Sequence, residues 1–277
     1  MTTLPELPIQ KIEAAFTRAL QKGPVVITSP TGSGKSTQVP RWGARLGRVL
    51  VVEPRRVACR GLAAFVATLE GTPLGKGVGY AVRDDRCHGR DTRIVFATPG
   101  VVLLWLAGGQ PLPFDVVVID EFHERSLDVD LLLALLTEQV LEKLVVMSAT
   151  MNAERLADHL GGTLIAAEGR QFPVEETYLP SPSLLPEARG LEDRVARALE
   201  RVRGTGGHVL VFLPGKGEIA KTASRLAGER ELEVLQIHGG LTLKEQSRVF
   251  DDSPGRRIIL STNVAETSIT IDRKSVV

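Results

Sequence analysis

Residues Ser29 to Ser36 read Ser-Pro-Thr-Gly-Ser-Gly-Lys-Ser and have the types and spacing of a phosphate-binding loop (P-loop), although its leading position is a serine instead of glycine. Small residues let successive backbone N–H groups point at one phosphate, and a helix that starts after them adds its positive N-terminal end. The lysine of such a loop reaches the β- and γ-phosphates, and the hydroxyl after it binds Mg²⁺. The predicted nucleotide contacts are Thr31, Gly32, Ser33, Gly34, Lys35, Ser36 and Thr37.

A second candidate site follows an apolar run, where Asp115-Val-Val-Val-Ile-Asp120 leads directly into Glu121. The run is typical of a buried parallel strand, and ligands of open parallel sheets bind at the carboxyl ends of the strands. A carboxylate there is positioned to hold Mg²⁺ opposite a P-loop, and its neighbour to orient or deprotonate a water molecule. We predict that Ser36, Asp120 and Glu121 supply oxygen ligands to Mg²⁺, with Lys35, Asp120 and Glu121 as catalytic residues.

Strands and helices alternate around these motifs, which indicates successive βαβ units and a mostly parallel sheet. Short β-branched runs predict strands at residues 25–28, 48–53, 92–98, 115–120 and 143–148. Segments with helical periodicity lie between them, at residues 37–46, 57–69, 100–107 and 126–141. The P-loop is therefore expected between a strand and a helix, where such a loop binds phosphate.

A second α/β series starts after a stretch with four prolines, residues 170–190. Helices are predicted at 191–202, 217–227 and 242–250, and strands at 207–213, 232–237 and 256–261. The apolar run 274–277 resembles a strand that is beginning or ending. We expect two α/β domains, residues 1–167 and 168–277, with the second one incomplete.

Composition narrows the class of protein further. The chain has 277 residues, of which 43% are hydrophobic and 24% charged, as expected for a globular protein. The longest apolar runs are too short to cross a bilayer, the N-terminus lacks the pattern of a secretory signal, and the two cysteines have no metal-binding spacing. We expect a cytoplasmic protein with no membrane partner. The net charge is only +1, but residues 41–60 carry six arginines and one acid, which favours phosphate contacts there.

The segment Asp120-Glu-Phe-His123, here named the DEFH box, resembles the D-E-x-H box of the DEAH/RHA helicases of superfamily two, and its Phe122 is similar to the bacterial HrpB subfamily. Further segments match that family in the same order. They are Pro54 to Ala58 (motif Ia), Thr98 to Gly100 (Ib), Ser148 to Thr150 (III), Val211 to Gly215 (IV), Ser261 to Asp272 (V) and the junction segment Glu168 to Val174. The resemblance implies two RecA-like P-loop NTPase domains.

The resemblance also implies roles for individual residues. Ser148 and Thr150 match the motif that couples the nucleotide site to the domain cleft, and His123 is expected to bridge the two. Phe250 and Asp272 match positions that contact the adenine and the ribose, whereas Phe65 stands where the family commonly has an arginine. The expected contacts to a nucleic-acid backbone are Arg55, Arg56, Thr98, Gly100, Thr262 and Asn263.

The activity implied is ATP-dependent translocation on single-stranded RNA, in the 3′ to 5′ direction, with ATP and Mg²⁺ as cofactors and a monomer as the expected state. The family's arginine-rich motif VI should lie beyond motif V, where this chain ends, so we expect a truncated core with weak hydrolysis alone. Two alternatives stay open at this point. One is a DNA helicase or translocase of the same superfamily, and the other is a nucleotide-gated nucleic-acid-binding or scaffold module.

Overall fold

The chain divides into two compact units, Met1–Phe172 and Pro173–Val277. The computed structural model describes residues 7–30, 32–109, 111–138, 143–149, 153–168, 175–180, 190–204, 206–227, 233–238, 241, 255–262 and 274–276. The expected boundary between residues 167 and 168 stays a prediction, because residues 169–174 lie outside this described part. No helix within it is long and apolar enough to span a membrane.

The first unit is built on a sheet in which eight strands are described. In chain order these are β1 Val25–Thr28, β2 Val49–Val52, β3 Val78–Val82, β4 Asp85–Cys87, β5 Ile94–Ala97, β6 Val116–Ile119, β7 Leu144–Ser148 and β8 Thr163–Ala166. Their order across the sheet is β4-β3-β5-β2-β6-β7-β1-β8. Every neighbouring pair is parallel except β3 and β4, so the carboxyl ends of seven strands share one edge. The predicted parallel α/β fold is confirmed.

Helices cover both faces of this sheet. They are α1 Glu13–Leu20, α2 Lys35–Gly43, α3 Arg56–Leu69, α4 Pro99–Ala107, α5 Leu127–Glu138 and α6 Ala153–Leu160, with 3₁₀ turns at Pro8–Ile12 and Phe122–Glu124. Alternate residues of β2 enter opposite cores. Val49 and Val51 pack with the side chains of α1, α2 and α3, whereas Leu50 and Val52 pack with those of α4 and α5. Burial on both faces explains why the strands read as continuous apolar runs.

The second unit has a parallel sheet with the strand order β10-β11-β9-β12. Its described elements are α7 Leu191–Arg201, β9 His208–Phe212, α8 Lys216–Leu226, β10 Glu233–Ile237, β11 Arg257–Ser261 and β12 Lys274–Val276. β12 pairs with β9, so the terminal apolar run is a strand, as predicted. The helix predicted at residues 242–250 lies outside the described residues.

The first unit differs from the prediction at the start of α2 and at a hairpin. α2 begins at Lys35, two residues before the predicted start, because Gly34 at φ +94° ends the P-loop and caps the helix directly. The β3–β4 hairpin was not predicted, since β4 is a short polar strand at the edge of the sheet. Gly79 in β3 makes the close pairing possible, because a Cβ there would lie 2.2 Å from the carbonyl oxygen of Cys87.

Candidate active site

The predicted site residues of the first unit lie at the carboxyl edge of its sheet. β1 leads into the P-loop, β7 ends at Ser148, β6 leads into Asp120, β2 into Glu53, and β5 into Thr98. Since β2 lies between β6 and β5, the strands that carry the nucleotide motifs and those that carry motifs Ia and Ib are direct neighbours. This topology brings together motifs that are far apart in the sequence.

Two glycines of the P-loop have left-handed backbone conformations. Gly32 and Gly34 have φ values of +77° and +94°, which glycine adopts without strain. Ser29, the serine that replaces the usual glycine, is buried, and its hydroxyl lies 2.8 Å from that of Ser33. Thr37 Oγ1 donates a hydrogen bond to the Gly34 carbonyl at 3.0 Å. The half-buried Ser36 lies in the first turn of α2, whereas Thr31 lies outside the described residues.

Lys35 forms a buried ion pair across the site. Its Nζ donates to Glu121 Oε1 at 3.0 Å, and both side chains are less than a tenth exposed. Burial lowers the pKa of Lys35, but the negative charges of Asp120 and Glu121 outweigh burial and raise it overall. The lysine is therefore a fixed cation facing two carboxylates.

The two carboxylates that follow β6 keep unused oxygen atoms. Glu121 N–H donates to Asp120 Oδ1 at 2.8 Å, while Asp120 Oδ2 and Glu121 Oε2 are buried without a hydrogen-bond partner among the described residues. Burial, then the charge of Asp120, raises the pKa of Glu121 to about 7. These two buried carboxylate oxygens accept no hydrogen bond within the described part of the chain. Together with the Ser36 hydroxyl in the first turn of α2, they fit Mg²⁺, a divalent cation that prefers oxygen ligands.

His123 connects this site to the end of β7. Its Nδ1 accepts a hydrogen bond from Ala149 N–H at 3.3 Å and lies 3.3 Å from Glu121 Oε2. A ring nitrogen that accepts from an amide carries no proton, so its approach to the carboxylate is a contact and not a second hydrogen bond. Ser148 is buried, and its carbonyl accepts from Ser29 N–H at 3.2 Å. The structure thus brings His123 and motif III together, although Thr150 lies outside the described residues.

Two further acids at this edge were not predicted. Glu53 is buried and accepts Arg55 N–H at 3.1 Å, and burial, then the charge of Asp120, raises its pKa well above the usual range. Glu124 pairs with the Arg55 guanidinium, with Nη2 at 3.0 Å from Oε1. The sequence signal for Glu53 is an acid that directly ends a buried strand, the same pattern that identified Asp120.

The predicted nucleic-acid contacts differ in their surroundings. Arg56 is exposed at the start of α3, and its Nη2 donates to the Arg83 carbonyl at 2.7 Å. Thr98 caps α4, and Gly100 lies exposed in its first turn. In the second unit, Thr262 follows β11 and its N–H donates to the Ile237 carbonyl at 3.3 Å. Asn263 lies outside the described residues, as do Phe250 and Asp272, the predicted contacts to the adenine and the ribose.

Residues 8–159 match the family model described as DEAD/DEAH box helicase, and residues 193–277 match the model described as helicase conserved C-terminal domain. The chain belongs to the DEAD/DEAH box helicase family. The P-loop and the DEFH box both lie within the matched residues 8–159. The fold of each unit agrees with the RecA-like architecture expected for such a protein.

This helicase chain is 38% identical to the ATP-dependent RNA helicase HrpB of Escherichia coli over 96% of the chain. It is 34% identical to the ATP-dependent RNA helicase HrpA of Borreliella burgdorferi over 98% of the chain. The crystal structure of the E. coli DEAH/RHA helicase HrpB matches with a TM-score of 0.84 and 37% identity, covering 96% of this chain and 36% of that one. The chain spans about a third of the length of these two relatives, 34% and 35%.

Proposed function

We propose that this chain binds ATP with Mg²⁺ and hydrolyses it to drive movement along single-stranded RNA. The observation that carries the proposal is the buried Lys35–Glu121 ion pair beside two carboxylate oxygens without hydrogen-bond donors, at the end of a P-loop. The relatives named HrpB and HrpA are ATP-dependent RNA helicases, which supports RNA as the strand. The 3′ to 5′ direction, a cytoplasmic location and a monomeric state remain predictions.

In this proposal the P-loop amides and Lys35 bind the phosphates. Lys35 exchanges its Glu121 partner for phosphate oxygens, and this frees the carboxylate to orient the attacking water. Ser36, Asp120 and Glu121 would hold the Mg²⁺, which would supply positive charge to neutralise the terminal phosphates. His123 keeps the Glu121 region attached to Ala149 at the end of β7, so that the state of the nucleotide alters motif III. Phe250 and Asp272 are proposed to contact the adenine and the ribose.

The nucleic-acid strand is proposed to contact motifs Ia, Ib and V. Arg56, Thr98 and Gly100 of the first unit, with Thr262 and Asn263 of the second, would bind its phosphates and sugars. Contacts of this kind follow the backbone and not the base edges, so binding should depend on salt and little on sequence. Contacts to the backbone do not by themselves distinguish ribose from deoxyribose, so a comparison of RNA with DNA is informative.

The test is steady-state ATP hydrolysis by this chain without nucleic acid, with single-stranded RNA and with single-stranded DNA of the same sequence. Lys35→Ala is the blank, and ATP binding is measured separately by fluorescence. Weak turnover that RNA stimulates and that is lost in Lys35→Ala is the expected result. Stimulation by DNA alone would identify a DNA translocase. ATP binding with turnover at the blank level would identify a nucleotide-gated binding module.

A further inference from the structure

We propose that Arg55 and Glu124 form a positioning pair that holds the DEFH box in place, and that Arg55 is not a nucleic-acid contact. The pair is two-pronged, with Nε at 3.2 Å from Oε2 and Nη2 at 3.0 Å from Oε1. The Arg55 and Glu124 side chains are only 16% and 23% exposed. This inference rests on the proposed hydrolysis at Glu121, because its functional consequence is the position of that carboxylate.

The sheet places the two partners side by side. β2 and β6 are adjacent and in register, with Val52 paired to Ile119. Asp120 N–H donates to the Val52 carbonyl at 2.9 Å, so the chain segments after these strands leave the sheet together. Arg55 follows β2, and Glu124 follows β6. The ion pair therefore links the first turn of α3 directly to the segment that carries Glu121.

The segment around Glu124 has a strained backbone that needs such support. Glu121 and Arg125, on either side of the 3₁₀ turn Phe122–Glu124, have φ values of +48° and +40°. A non-glycine residue in this region costs about 1–3 kcal/mol and persists only where its surroundings hold it. Arg125 is held by Asp130, with bonds of 2.8 and 2.9 Å, and Glu124 is held by Arg55. Both ion pairs therefore lie at the C-terminal end of the turn, whereas Lys35 holds Glu121 at its start.

The charges around the turn assign Arg55 a second task. Glu53, Asp120, Glu121 and Glu124 lie near one another, and the charge of Glu124 is among the causes that raise the pKa values of Glu53 and Glu121. Removing Arg55 would take a cation away from Glu124 beside these acids. Repulsion would then favour movement of the turn, and with it Glu121, away from Lys35.

Arg56, the neighbouring arginine of motif Ia, differs from Arg55 in its exposure and in its partner. Arg56 is exposed, and its guanidinium donates to the carbonyl of Arg83. A phosphate can approach an exposed guanidinium without breaking an ion pair, whereas binding at Arg55 would require Glu124 to lose a half-buried cation. Motif Ia therefore divides its two arginines, with Arg56 facing nucleic acid and Arg55 facing the nucleotide site.

The test compares Arg55→Met, Glu124→Gln and the double variant, with Arg83→Met as a matched control because that side chain is 85% exposed. Without nucleic acid, each single variant should lower kcat about tenfold and leave KM for ATP within twofold, a loss of about 1.4 kcal/mol in transition-state stabilisation. The double variant should be no slower than either single variant, since both remove the same pair. Additive losses would contradict the proposal.

Affinity for single-stranded RNA separates the two roles of motif Ia. Arg56→Met should lower the slope of log affinity against log salt concentration by about one phosphate contact. Arg55→Met should leave this slope unchanged and keep the affinity for RNA within twofold of the wild type. An Arg55→Met protein that loses one contact while keeping its kcat would overturn the assignment.

If the wild-type chain hydrolyses ATP no faster than Lys35→Ala, the proposed hydrolysis is refuted but the positioning pair is not. A third measurement then tests the pair without using ATP hydrolysis. The ring ¹⁵N resonances of His123, which lies in the same turn, should shift alike in Arg55→Met and Glu124→Gln and stay in place in Arg83→Met. Resonances unchanged in both pair variants would refute the positioning role.

Discussion

Glu121→Gln should stabilise the nucleotide-free protein while it abolishes hydrolysis. The Glu121 carboxylate has a pKa of about 7 in the folded chain against an ordinary value of 4.5. At ~1.36 kcal/mol per pKa unit, this difference corresponds to about 3 kcal/mol. A raised carboxyl pKa favours the folded state at low pH, and that contribution is complete below 4.5 and lost as the pH rises through 7. Glutamine retains the neutral form at every pH.

The variant should therefore be more stable than the wild type by about 3 kcal/mol at pH 8 and by only about 1 kcal/mol at pH 5. Both tryptophans, Trp42 and Trp105, belong to the first unit, so their fluorescence during urea unfolding reports on the unit that contains Glu121. The measurements are made with EDTA and without nucleotide. Exposed Glu154 supplies the matched control, and Glu154→Gln should keep the pH dependence of the wild type.

Two outcomes would refute this reasoning. A Glu121→Gln protein that is less stable than the wild type at pH 8 would mean that the charged pair with Lys35 stabilises the fold more than burial of Glu121 destabilises it. A stability gain that is the same at pH 5 and pH 8 would mean that Glu121 does not titrate between them. The charge of Glu121 is among the causes that raise the pKa of Glu53, so Glu121→Gln also lowers the pKa of Glu53, which adds to the gain at pH 8.

Four other substitutions test the geometry directly. Gly34→Ala should lower the free energy of unfolding by about 1–3 kcal/mol and weaken nucleotide binding, because φ is +94° and a Cβ would lie 2.8 Å from Leu7 Cδ1. Urea unfolding measures the first effect, and nucleotide titration measures the second. Gly79→Ala in β3 should lower the free energy of unfolding by about 3 kcal/mol, because its Cβ would collide with the backbone. Gly61→Ala on the open face of α3 should raise it by about 0.5–1 kcal/mol. The reverse order of stability would contradict these contacts. His123→Ala should leave ATP affinity within threefold but lower turnover about tenfold, and unchanged turnover would exclude a role for its bond to motif III.

Local patterns were sufficient to predict the nucleotide motifs. The P-loop and the DEFH box each consist of neighbouring residues whose spacing is visible in the chain, and each follows an apolar strand that the sequence also reveals. The parallel sheet could be predicted for the same reason, since β-branched runs alternate with helical segments. The start of α2 could not be predicted from local patterns, because this cap depends on the backbone conformation of Gly34.

The pair of Arg55 and Glu124 could not be predicted because its members are 69 residues apart and meet only through strand order. Nothing in the two local sequences shows that β2 lies next to β6. The sequence therefore grouped Arg55 with Arg56 as one basic segment, although the fold turns their side chains to different partners. Glu53 was missed because one acid after a strand is common, and its significance comes from its burial near Asp120.

The polar strand β4 has a consequence for the behaviour of the protein in solution. Parallel sheets expose unpaired N–H and C=O groups at their outer strands, and such edges can recruit further chains into aggregates. Here the edge strand has only three residues, and Arg86 at its centre is exposed. Asp85 is held by Arg60 at 3.2 Å and by the Tyr80 hydroxyl at 3.1 Å, which fixes a charge beside the edge. The small antiparallel hairpin thus protects the β4 edge of the first unit against intermolecular strand pairing.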